Sequence, residues 1–145
     1  MTRKLAVAAL ALTLLGAGAQ AAGPDLIEAR QAGQDLVNGD FAGIRAVVTL
    51  KGDVKTLQKP AEAIARWMKL FPSMFPPGSD KGGNTKALPA VWTDTAGFQK
   101  DADALVQAAT ALATAAKADD AAAVAAQIKA MGDACSACHK AFRAR

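Results

Sequence analysis

Tyrosine is absent from this chain, histidine occurs once and cysteine twice, and these shortages narrow the chemistry before any fold is considered. With His139 as the only imidazole there is no spare histidine and no Ser/His/Asp set. No glycine-rich phosphate loop is present either, so nothing argues for an enzyme. Strong charge of one sign is also missing. The formal charge is +4, and leaving out Arg3 and Lys4 reduces it to +2. Basic and acidic residues are interspersed, without a Lys- or Arg-rich run carrying aromatics, which excludes nucleic acid as an expected partner. Runs of β-branched residues in alternation are lacking, so an all-α fold is expected. The one long apolar run, from Leu5 to Leu15, is well short of the ~20 residues that cross a bilayer.

That run follows Arg3 and Lys4 and precedes the small residues Gly16 to Ala22. A basic start, a short apolar stretch and small residues form the pattern of a secretory signal peptide. We expect residues 1–21 to be this leader. Ala17-Gly18-Ala19 and Ala19-Gln20-Ala21 both fit the cleavage pattern, which places the cut after position 19–22. The mature chain, 22–145, is then an exported, periplasmic protein of one domain, with no membrane span left after removal of the leader.

Four segments carry a helical period. The first, Asp25 to Leu50, places Leu26, Arg30, Gly33, Val37, Phe41, Ile44 and Val48 on one face. In the second, Asp53 to Phe71, the face is Val54, Leu57, Ala61, Ile64, Met68 and Phe71; Pro60 either kinks it or marks its true first turn. Pro72, Pro76, Pro77 and Pro89, with Gly78, Gly82 and Gly83, then prescribe one long loop. A third helix is expected from Thr93 or Asp94 to Lys117, with Phe98, Leu105, Val106, Ala109 and Leu112 inward. The fourth runs from Asp119 to Phe142, its stripe being Val124, Ile128, Met131, Cys135, Cys138, His139 and Phe142. The short third connection forces antiparallel neighbours, so the expected architecture is an antiparallel up-down-up-down four-helix bundle.

Both cysteines fall in Cys135-Ser136-Ala137-Cys138-His139, a C-x-x-C-H sequence of the c-type haem attachment kind. On a helix, Cys135 and His139 lie four apart on one face with Cys138 beside them. Two thiols can then bond the vinyl groups of one porphyrin while the imidazole reaches its iron. The alternatives are a zinc site, a redox dithiol and a plain disulfide. Zinc wants four ligands, and these are the only Cys and His residues, so carboxylates would have to complete it. A dithiol of the thioredoxin kind wants a βαβ setting that is not visible. A disulfide leaves the adjacent histidine as coincidence.

With those residues in view the chain resembles the cytochrome c′ family, the class II c-type cytochromes. Besides the C-terminal motif, the resemblance rests on Leu88-Pro89-Ala90-Val91-Trp92-Thr93-Asp94 with Phe98, on Phe75-Pro76-Pro77-Gly78-Ser79 with Gly82 and Gly83, on Arg30-Gln31, and on Phe142-Arg143. It covers about Asp25 to Arg143. It implies covalently bound haem c, an antiparallel four-helix bundle with the motif in its last helix, Arg30 near a haem propionate, and Arg143 near the face of His139. For Arg30 the alternative is a surface arginine whose stem covers apolar neighbours; for Arg143 it is an ordinary cation at a helix C-terminus. Trp92, Phe98 and Phe142 are expected to be packing residues.

In relatives whose iron is closed, a methionine stands one turn after the position matching Arg30; here that position is Gln34. An amide is a weak iron ligand and a competent hydrogen-bond donor. The expectation is therefore an open or water-occupied distal site with Gln34 nearby, unless the register differs and Gln34 faces solvent. Met131 lies on the wrong helix to cross the porphyrin, Met74 is in the loop, and Met68 is a core position that remains open as a ligand. The implied function is a one-electron carrier with one haem, served by redox partner proteins. The alternative is a protein that binds or buffers nitric oxide or carbon monoxide. The resemblance also allows a homodimer through the first two helices.

Overall fold

The computed structural model describes residues 25–81 and 83–145. The leader expected over 1–21 lies outside the described residues, as does Gly82. The first long helix, α1, is Leu26–Thr49, and the Asp25 side chain starts it by accepting hydrogen bonds from the backbone N–H groups of Ile27 and Glu28. It stops where Lys51 takes a left-handed φ of 54°, and Gly52 N–H donates back to the Val47 carbonyl at 2.8 Å. A 3₁₀ turn, Val54–Leu57, follows, then α2, Gln58–Leu70. Pro60 therefore sits in the first turn of α2. Its missing N–H would have had no intrahelical partner there, so no kink results.

The second helix expected from the periodicity is thus shorter than drawn. Its start is the 3₁₀ turn, and beyond Leu70 another 3₁₀ turn, Phe71–Met74, carries the chain into the Pro- and Gly-rich loop. That loop ends in a single turn, α3, Ala90–Thr93. The third long helix, α4, is Thr95–Lys117, capped by Asp94, whose carboxylate accepts from Gly97 N–H at 3.0 Å. After a tight connection with Asp119 at φ 62°, Asp120 caps α5, Ala121–Phe142. The four long helices, α1, α2, α4 and α5, form the expected bundle, and α4 is its centre, packing most extensively on α2 and α5. Among the described residues, no helix is long and apolar enough to cross a membrane.

One core fills the middle of the bundle. Ile44, Leu57, Ile64, Leu112, Val124 and Met131 are its fully buried large side chains, each worth about 1.5–3 kcal/mol of burial. The alanines Ala61, Ala109 and Ala116 are completely buried, which lets the helices approach closely. On α1 the buried residue of the first turn is Ile27, not Leu26. The face expected of the second segment is buried, Val54 and Leu57 in the 3₁₀ turn and Ala61, Ile64 and Met68 in α2.

A second, aromatic cluster occupies the end where α5 finishes. Phe98 stacks edge-on against Phe75 and Phe142 at ring-centre distances of 5.0 and 5.2 Å, and Phe71, Trp92 and Val91 complete it. The loop is tied to the C-terminus here. Leu88 N–H donates to the Phe142 carbonyl at 2.9 Å and Ala144 N–H to the Lys86 carbonyl at 2.8 Å, forming an isolated antiparallel bridge between Ala87 and Arg143.

Candidate functional site

Between this aromatic end and the middle of the bundle lies a cavity of about 560 Å³, a size suited to a cofactor. One wall is α1, which contributes Arg30, Gln34, Val37 and Phe41; Met68 of α2 and Phe98 and Leu105 of α4 add to it. The α5 wall carries Cys135, Cys138 and His139. The helix brings the three together as their spacing predicts, so both thiols and the imidazole meet a single cavity.

The electrostatics of the α5 wall follow from its half-burial. Burial, then the nearby Asp101 carboxylate, then Cys135, push the Cys138 thiol up to about 11. Burial also raises Cys135, partly countered by a backbone hydrogen bond. His139 is shifted downward, first by burial and then by the Arg143 cation. All three groups are consequently neutral near neutral pH. A neutral imidazole keeps the lone pair that a metal requires.

Arg30 is 4 % exposed, so it is not a surface arginine. Its Nη1 donates to the Met74 carbonyl at 3.0 Å and to Ser79 Oγ at 3.1 Å, and its Nη2 donates to the Ser79 carbonyl at 3.0 Å. Its guanidinium carbon lies 4.2 Å from the centre of the Phe75 ring. Among the described residues no carboxylate forms an ion pair with it. A buried cation with neutral partners on the wall of a largely apolar cavity leaves a place for an acidic substituent on whatever fills it. A flat apolar group with carboxylate edges, thiol-reactive side groups and a metal that accepts an imidazole fits this donor set.

Gln34 is half-buried and faces the cavity rather than open solvent. Its Nε2 donates to Met68 Sδ at 3.6 Å. Met131 is buried in the core, and Met74 meets Arg30 through its backbone, so of the methionines weighed from sequence only Met68 borders the cavity. Arg143 is exposed, caps α5 as its backbone N–H donates to the His139 carbonyl at 3.2 Å, and also borders the cavity. Trp92, Phe98 and Phe142 pack as expected, and Trp92 Nε1 donates to the Pro76 carbonyl at 3.2 Å.

Several participants escaped sequence reasoning. Asp101 borders the cavity close enough to raise the Cys138 thiol, yet it reads as one more polar residue of α4. Ser79 and Phe75 hold Arg30 from a loop whose path no periodicity prescribes. The helical period puts Gly33 on the inward face, but its necessity comes from Trp67, whose ring occupies the space of a Cβ there. The zinc alternative finds no support in the donor set. Among the described residues no three His, Cys, Asp or Glu side chains gather to hold a metal.

Comparison with known proteins places these features. The family profile described as Cytochrome C′ matches residues 25–143. Cytochrome c′ of Rubrivivax gelatinosus is 36 % identical over 121 residues, covering 82 % of this chain and 94 % of its own. Its crystal structure superposes with a TM-score of 0.74 over the same shares. The nitric oxide complex of a cytochrome c prime variant from Alcaligenes xylosoxidans is 28 % identical, with a TM-score of 0.74 over 83 % of this chain and 94 % of that one. A cytochrome c′ with ligand-controlled dimer dissociation is 28 % identical, with a TM-score of 0.78 over 85 % and 98 %. The profile match over nearly all the described residues, joined to the thiol- and imidazole-lined cavity of the bundle, means that this chain belongs to the cytochrome c′ family of haem proteins, whose cofactor is covalently attached haem c.

Proposed function

We propose that this protein is a periplasmic one-electron carrier with a single haem c, bonded through thioethers to Cys135 and Cys138 and ligated at iron by His139. The observation that supports this reading is the presentation of those three side chains to one cavity by one helix. Bound haem would supply a one-electron Fe(III)/Fe(II) couple and, where its iron keeps an open coordination position, a place for a diatomic gas. The chain does the rest. Cys135 and Cys138 hold the group covalently, His139 offers a neutral ring nitrogen, and Arg30 meets an acidic edge with a cation that is already buried. Arg143 acts on His139 by charge. The aromatic cluster and the bridge between Ala87 and Arg143 fix the end of α5, which keeps reorganisation on electron transfer small. No residue is assigned a catalytic role. Residues 1–21 act as the export leader in this reading, and redox proteins are the partners.

A second reading, a nitric oxide or carbon monoxide binding protein with little electron traffic, draws on Gln34 standing at the cavity wall and on the nitric oxide complex of the Alcaligenes xylosoxidans relative. Leu36 of α1 is 72 % exposed and offers an apolar contact for a second copy of the chain, as the dimerising relative suggests. The deciding experiment is intact mass spectrometry of the protein recovered from the periplasm. The expected result is cleavage after position 19–22 and one added haem that survives denaturation, lost in the Cys135→Ser/Cys138→Ser double variant. A colourless chain of polypeptide mass alone overturns the proposal. The visible spectrum of the reduced protein separates the readings: sharp split bands report a closed, low-spin iron, and a broad high-spin spectrum an open one.

A further inference from the structure

Five charged side chains border the cavity: Arg30 and Asp35 from α1, Lys86 from the loop, Asp101 from α4 and Arg143 at the end of α5. Asp35, Lys86 and Arg143 are exposed, so water and salt screen them. Arg30 is buried, but three hydrogen bonds to oxygen already engage it. Asp101 differs from all four. It is half-buried and stands one turn after Phe98 and one turn before Leu105, the other α4 residues of the wall, so the helical period turns it inward with them. Neighbouring carboxylates of α4 and α5 are occupied. Asp94 caps α4, Asp103 accepts from Gln99 Nε2 at 2.9 Å, and Asp133 pairs with Lys129 at 2.7 Å. Asp101 has no ion-pair partner among the described residues. A lone carboxylate on an otherwise apolar stripe costs stability, so packing gives no reason for it, and its charge is turned toward whatever fills the cavity.

We propose that the Asp101 carboxylate tunes the redox potential of the group in the cavity, favouring the oxidised iron and so keeping the potential low. This deepens the haem reading above and rests on it. Reduction takes one electron from a redox partner, and the charge of the group falls by one while no bond to the protein forms or breaks. A fixed negative charge on the wall opposes that added electron, and in a partly desolvated site the opposition is stronger than in water. Arg30 does not cancel it, because an acidic edge of the group would occupy that cation. Lys86 and Arg143 stand in solvent, where their charge is screened. The Cys138 thiol on the α5 wall is raised in part by the same carboxylate, as a charge directed across the cavity requires. The consequence bears on partners: a carrier held at low potential gives up its electron readily and accepts one only from a stronger reductant.

The test is potentiometric titration of the holoprotein near neutral pH, followed by the visible spectrum, for wild type, Asp101→Asn, Asp101→Lys, Asp101→Glu and Asp35→Asn. Asp35→Asn removes an equal charge from the exposed rim of the same cavity and so reports the effect of net charge alone. Asp101→Asn keeps the shape of the side chain and is expected to favour the reduced state by roughly three- to thirtyfold, which is ~30–90 mV upward at about 59 mV per tenfold. That shift should persist at raised ionic strength. Asp101→Lys is expected to move the potential further in the same direction, and Asp35→Asn clearly less, with a shift that salt removes. An Asp101→Asn shift no larger than that of Asp35→Asn, or one that salt abolishes, overturns the proposal while leaving the haem reading intact. Asp101→Glu keeps the charge and should stay near the wild-type potential; a shift as large as that of Asp101→Asn marks a packing effect and overturns the proposal too. Should Asp101→Asn not fold, Asp101→Lys against Asp101→Glu decides it by the same measure. Absence of haem from the wild-type protein defeats the underlying reading instead.

Discussion

Replacing Arg30 by methionine removes a cation that is 4 % exposed and that joins α1 to the loop through three hydrogen bonds and one aromatic face. Hydrogen bonds to a charged group are worth about 1.5–3 kcal/mol each, and a cation over an aromatic ring about 0.5–2 kcal/mol. Against that sum stands the desolvation of the guanidinium, several kcal/mol, which methionine does not incur. Burial accordingly lowers the pKa of Arg30, with Asp25 partly opposing. The balance is a net loss of about 2 kcal/mol, or about 5–10 °C in thermal midpoint for a domain of this size. It should be concentrated in the segment from Met74 to Ser79, because that is what Arg30 holds. Urea unfolding of the holoprotein, paired with limited proteolysis, is the assay. We expect Arg30→Met to lower the midpoint and to make the loop the first site of cleavage. Arg30→Lys, which keeps the charge but puts one nitrogen where the guanidinium used two, should fall between. An Arg30→Met protein with unchanged midpoint and unchanged cleavage would refute the reasoning.

Gly33→Ala should destabilise by about 1–3 kcal/mol through overpacking, although alanine is the better helix former, since its Cβ would overlap the Trp67 ring. In a Trp67→Phe background the same change should cost clearly less, and equal costs in both backgrounds in a double-mutant cycle would discount the clash. Trp67→Phe also removes an indole N–H that is buried without a partner, so by itself it should cost less than an ordinary large-to-small core change when measured by urea midpoint. Phe98→Ala, at the centre of the aromatic cluster, should cost about 3–5 kcal/mol and loosen the end of α5, readable as faster hydrogen exchange from Cys138 to Phe142. Hydrogen bonds from Gln58 and then Lys59 hold the Glu62 carboxyl below its usual value. That contribution is present above the unfolded pKa and lost as pH falls through the lowered folded one. Glu62→Gln should therefore show a smaller drop in thermal midpoint between about pH 7 and about pH 3 than the wild type, and an identical drop would contradict the assignment.

What the chain determined by itself is everything governed by neighbours a few residues apart. Asp25, Asp94 and Asp120 cap the helices that follow them, because a short carboxylate reaches the N–H groups two and three residues on wherever it stands. Ala61, Ile64 and Met68, the expected face within α2, are buried as their period requires. Cys135, Cys138 and His139 share one face for the same reason. Tertiary structure decided what depends on the path of the loop and the rotation of each helix. Whether Leu26 or Ile27 turns inward differs by a residue of register that a smooth apolar stripe does not resolve, and whether Pro60 bends a helix or opens one depends on the helix starting at Gln58, after a 3₁₀ turn, rather than at Asp53. Arg30 meets Ser79, and Asp101 faces Cys138, across long stretches of chain. Local geometry repeats every turn and can be read from spacing, whereas these pairings exist only once the bundle closes around its cavity.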